Sequence, residues 1–150
     1  MNKSKLKWIS TFAILSVLML SGSLKAQRDS ATVVVYRTLK FSAGVSAIAV
    51  GSSADSLFMW VRSNKVVVLR VAAGQHQFTT YLDMSDKLSK PIPWEFTIAP
   101  NETKYVEFDT KAAFPTAVPV IREQSAEVFN QLIQNPKWQR RREEAEVVHY

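Results

Sequence analysis

The chain has 150 residues, with 19 Lys and Arg against 13 Asp and Glu for a formal charge of +6, and it contains no cysteine. Without thiols it forms no disulfide and carries no bacterial lipoprotein modification, so a folded domain here holds itself together by core packing alone.

The first 26 residues follow their own grammar. Lys3, Lys5 and Lys7 make a positive start, Trp8 to Leu20 carries no charge, and Ser21, Gly22 and Ser23 lead to Leu24, Lys25 and Ala26. This is the three-part pattern of a secretory signal, with cleavage expected between Ala26 and Gln27. The uncharged run is shorter than the ~20 residues that span a bilayer, which argues against a membrane anchor. The expectation is therefore an exported, periplasmic or extracellular protein that meets the membrane only through its signal during export. Four of the nineteen basic residues leave with that signal and all thirteen acids stay, which takes the net charge from +6 to +2. The basic balance thus reports targeting, and nucleic acid is not an expected partner.

From Thr32 onward the chain alternates short β-branched and aromatic runs with turn residues. Val33 to Tyr36 is a continuous apolar run, as in a strand covered on both faces. Val45 to Val50 is the next strand, ended by Gly51, Ser52 and Ser53. Leu57 to Val61 follows, and Ser63, Asn64 and Lys65 turn it into Val66 to Val71. After Ala72, Ala73 and Gly74 comes Gln75 to Leu82, with His76, Phe78, Thr80 and Leu82 on one face and Gln75, Gln77, Thr79 and Tyr81 on the other.

Asp83 to Pro93 is charged and has two prolines, and reads as a surface loop. Trp94, Phe96 and Ile98 alternate with Glu95 and Thr97 as a half-buried strand. Pro100 and Asn101 turn it into Lys104 to Phe108, and Val118 to Ile121 is the last extended piece. Ser125 is placed to cap a helix over Ala126 to Gln134, with Val128, Phe129, Leu132 and Ile133 on one side and Asn135 and Pro136 as its stop. Beyond lies a self-neutralising charged tail. The expected organisation is a signal over 1–26, a β-sandwich over 27–121, a helix packing on it over 122–135 and the tail over 136–150. The fold class is all-β, an antiparallel sandwich of seven or eight short strands with one C-terminal helix.

Two segments carry a family likeness. Val68 to Phe78 resembles a strand, turn, strand unit in which a Pro-Gly-x-His turn follows an apolar strand, with Ala73 standing in the place of proline. Trp94 to Phe108 resembles a second hairpin, in which a Pro or Gly turn precedes Lys-x-Tyr. Together they are similar to small exported bacterial domains of unknown function and the related Pro-Glu-Gly-Ala surface domains, over roughly Ala31 to Gln131. The resemblance implies a transthyretin-like or carboxypeptidase-regulatory-like sandwich with no catalytic residues.

The chain offers little that could carry chemistry. The histidines are His76 and His149, too few to activate a nucleophile in a recognisable set or, with no cysteine, to build a zinc site. The four glycines are isolated, so no phosphate loop exists. Asp83 with Asp86, and Glu95 with Glu107, are the carboxylate pairs that could approach. The expectation is no enzyme, no metal and no cofactor. Candidate binding residues are the aromatics Trp60, Trp94, Tyr81 and Tyr105, since an exposed ring offers a stacking platform. The favoured function is a non-catalytic cell-envelope protein that contacts an envelope protein or cell-wall component through its surface or a sheet edge. The alternative is a small-ligand or carbohydrate binder with an aromatic-lined cavity between the sheets, gated by Asp83 to Pro93. A hydrolase using loop carboxylates ranks third.

Overall fold

The computed structural model describes residues 29–38, 47–84, 87–113, 116–140 and 144–150. Among them are strands β1 (Ser30–Tyr36), β2 (Ala47–Gly51), β3 (Leu57–Arg62), β4 (Val66–Ala72), β5 (Gly74–Met84), β6 (Lys87–Leu88), β7 (Ile92–Ile98), β8 (Thr103–Ala113) and β9 (Thr116–Gln124). Helices α1 (Ala126–Gln134) and α2 (Pro136–Gln139) follow, then strand β10 (Glu146–His149). No helix among the described residues is long and apolar enough to cross a membrane.

The strands form two sheets. One has the order β10-β4-β1-β8-β9, and the other runs β3-β2-β5-β6 with β7 also paired to β5. In the central strand β1, Val33 and Val35 face the second sheet while Val34 and Tyr36 face the helices, so its continuous apolar run is covered on both sides. Between the sheets lie Val67, Leu69, Phe108, Ile48, Val50, Met59, Phe78 and Trp94. Each such side chain contributes about 1.5–3 kcal/mol when fully buried. Behind β1, Phe129, Leu132 and Ile133 of α1 pack with Trp138 of α2 on Val34, Tyr36 and Val66.

The second sheet is antiparallel throughout, whereas the first is mixed, which corrects the expectation of an all-antiparallel sandwich. β8 runs parallel to β1, and β10 parallel to β4. The cause is where the chain re-enters. Asn101 donates its N–H to the Ser30 carbonyl at 2.9 Å, and Thr32 donates to the Glu102 carbonyl at 2.9 Å. The chain therefore arrives at the start of β1 and follows its direction. Trp138, buried against Val66, hands the chain to the start of β4 in the same way.

The turns at Asn64 and Asn101 are also not hairpin turns, because each carries the chain from one sheet to the other. Both asparagines sit at φ 60°, a conformation Asn tolerates better than branched residues. Gly74, at φ 138°, makes the β4 to β5 crossing, where a side chain would be strained.

Two further expectations change. Asp83 and Met84 extend β5, Lys87–Leu88 pairs back onto it, and Ile92 and Pro93 belong to β7, so the expected long loop is mostly strand. Ser89 fastens that return, its backbone N–H donating to the Leu82 carbonyl and its hydroxyl accepting from the Leu82 N–H, both at 2.9 Å. The expected tail holds α2 and β10, because Trp138 finds an apolar seat and Glu146 to His149 find the open edge of β4. These additions bring the described strands to ten rather than seven or eight.

Candidate functional site

The outer face of the antiparallel sheet is shaped by small residues on β2. Ile48 and Val50 point into the core, so Ala47 and Ala49 point outward. Ala49 is flanked by Trp60 on β3 and Tyr81 on β5, and Ala47 by Arg62 and Asp83. Both alanines are buried, at 2% and 0% exposure, between larger side chains on strands about 9.5 Å apart, twice the strand spacing.

Beside Ala47 lies a cavity of about 770 Å³ lined by Ala47, Trp60, Arg62, Lys65, Asp83 and Glu146. Trp60 is 39% exposed. Lys65 donates to the Glu146 carboxylate, which brings β10 into the cavity wall. Two cations and two carboxylates make a site that is neutral overall, with an indole face at its side. Such a surface stacks on a sugar ring or an apolar side chain while hydrogen-bonding polar neighbours. It does not attract a polyanion.

The other sequence-derived candidates separate. Trp94 is 5% exposed and belongs to the core, where its ring meets Phe78, Phe96 and Phe108. Tyr81, 6% exposed, is buried beside Ala49, on the opposite side of β2 from Trp60, and does not line the cavity. Tyr105 lies under α1, its ring 5.0 Å from that of Phe129. Ala26, Gln27 and Asp86 lie outside the described residues. The space between the sheets, expected to be a ligand cavity under the alternative reading, is filled where Phe58, Phe78, Trp94, Phe96 and Phe108 pack ring against ring. The cavity beside Trp60 lies outside that core.

Glu95 and Glu107 do not meet. Glu95 accepts from Gln77 at 2.8 Å on the outer face of the antiparallel sheet, and Glu107 belongs to the mixed sheet. His76 is committed to structure, with Nε2–H donating to the Ala72 carbonyl at 2.8 Å and its ring stacked on Phe96. No group of three or more His, Cys, Asp or Glu able to hold a metal ion is present among the described residues.

A second polar cluster was missed by sequence reasoning. Glu107 and Asp109, both buried on β8, face Arg122 and Gln124 of β9. Arg122 donates to Asp109 at 3.1 Å and lies 3.6 Å from Glu107, which also accepts from Gln124 and Thr38 at 3.2 Å. The hydrogen bond to Asp109 first, and the charges of both acids after it, raise the Arg122 guanidinium. Burial lowers the nearby Arg37 guanidinium against the pull of Asp109. Burial, with Glu107 adding to it, pushes the Tyr36 phenol up to about 12. The cluster joins β1, β8 and β9 beside the helices. Its sequence signal is acids two apart on one strand answered by Arg122 and Gln124 two apart on the next.

No protein-family model matches the chain, and no curated protein matches it.

Proposed function

We propose that the chain is a non-catalytic, exported cell-envelope protein that works by contact, with an envelope protein or a cell-wall component as its partner. One observation carries this reading: Trp60 stands exposed at the mouth of a cavity whose charges balance. Export rests on the charged start, apolar run and small-residue end of the first 26 residues. The absence of catalysis rests on His76, Glu107 and Asp109 being taken up in structural hydrogen bonds. For the finer fold class we propose the transthyretin-like or carboxypeptidase-regulatory-like kind, on the resemblance of Val68 to Phe78 and Trp94 to Phe108.

The test is capture from envelope extracts with the processed chain and its Trp60→Ala variant, read by mass spectrometry of proteins and glycans. The reading requires a component retained by the first and lost by the second. A component retained equally by both overturns the assignment to this cavity.

A further inference from the structure

The last strand reads its neighbour through one face. Strand side chains alternate, so Glu146, Val148 and Tyr150 share one side and Val147 and His149 the other. Each member of the first set is received. Glu146 accepts from Lys65, Val148 packs on the main core, and the Tyr150 ring lies 4.7 Å from Phe58 and 4.8 Å from Phe78, edge-on to the latter at 83°. The backbone pairs in parallel from Val67 to Arg70, and the Tyr150 N–H donates to the Arg70 carbonyl at 2.9 Å. The edge of β4 therefore presents a cation, an apolar notch and an aromatic slot at two-residue spacing.

The occupant is held lightly. β10 has four residues, and both Val147 and Tyr150 remain 56% exposed. Short, exposed edge elements open at low free energy.

We propose that the β4 edge is a strand-acceptor site, and that its occupant in trans is residues 146–150 of a second copy of this chain. A second copy carries the acidic, apolar and aromatic residues at the spacing the edge receives, so docking it there recreates every contact made within one chain. Charge complementarity between Lys65 and Glu146 sets the register. A slip by one residue would turn Val147 and His149 inward and leave Lys65 without its carboxylate. The surface shares Lys65 and Glu146 with the cavity beside Trp60 but does not depend on that reading.

The lack of native cysteine gives a clean trap. Val68 and Val147 are register partners on neighbouring strands, whose spacing of about 4.8 Å is within disulfide reach. Chains carrying Val68→Cys are mixed with tagged chains carrying Val147→Cys, oxidised, and read by peptide mass. The expected product is a heterodimer joined between positions 68 and 147. Its yield rises with concentration and drops about fivefold when the second chain also carries Tyr150→Ala. A single chain bearing both substitutions reports folding by closing its own bridge. If that bridge closes while mixed chains give only dimers joined at like positions, exchange is overturned. If it does not close, the docking of β10 on β4 falls with it.

Discussion

Trp94 and Phe108 meet edge-on across the two sheets, ring centroids 5.0 Å apart at 83°. Trp94 comes from β7 of the antiparallel sheet and Phe108 from β8 of the mixed one, so this contact spans the interface between the layers. Trp94→Ala and Phe108→Ala are each expected to cost about 3–5 kcal/mol. The double variant should fall short of their sum by roughly 0.5–1.5 kcal/mol, the worth of an aromatic pair. Trp60→Ala, by contrast, should stay within about 0.5 kcal/mol of the parent. Urea unfolding followed by circular dichroism measures all four, and a loss at Trp60 as large as at Trp94 would contradict its placement on the surface.

The crossings between sheets depend on backbone conformation. Asn64, at φ 60°, donates its N–H to the Arg37 carbonyl at 2.8 Å and so ties the β3 to β4 turn to the end of β1. Asn64→Gly should change stability by a few tenths of a kcal/mol, while Asn64→Val should cost about 1–2 kcal/mol or more through its β-branched side chain. Equal losses in both variants, read from thermal unfolding, would show that the side chain of Asn64 rather than its φ angle matters.

Alkaline stability follows from Tyr36. Its phenol titrates near 10 in the unfolded chain and is pushed up to about 12 in the folded one by burial and by Glu107. A group whose folded value is raised contributes stability that is complete below its unfolded value. That contribution is lost as pH rises from about 10 through about 12. Denaturation midpoints should fall across this window, and Tyr36→Phe should flatten the fall. Absorbance of the phenolate at high pH gives the titration directly, and an unaltered slope in the variant would refute the assignment.

The helix start is local enough to predict a small effect. The Ser125 hydroxyl accepts from the Val128 N–H at 3.4 Å, so Ser125→Ala should cost about 0.5–1 kcal/mol. Guanidinium denaturation measures it. A cost above about 2 kcal/mol would mean that Ser125 does more than cap.

Much of the strand pattern was legible because alternation and turn residues are local. Val33 to Tyr36 predicts a strand covered on both faces, Trp94 to Ile98 a half-buried one, and Ser125 the start of α1. Direction was not legible, since the same alternation serves parallel and antiparallel neighbours. Only the bonds from Asn101 and Thr32 to the start of β1 decide it. β10 was hidden because Glu146 to His149 has strand character only when the β4 edge receives it. Of the candidate aromatics, Trp60 and Trp94 look alike in sequence. Their fates diverge because Phe78 and Phe108 lie opposite Trp94, whereas Ala49 is the cross-strand neighbour of Trp60.

A photocrosslinking amino acid placed at position 60 in living cells tests the proposed contact surface most directly. The proposed surface predicts an envelope adduct at position 60 and none with the same group at position 95, on the same face but on β7, or at position 111 on β8. Absence of an adduct at 60, or equal adducts at all three positions, would contradict it.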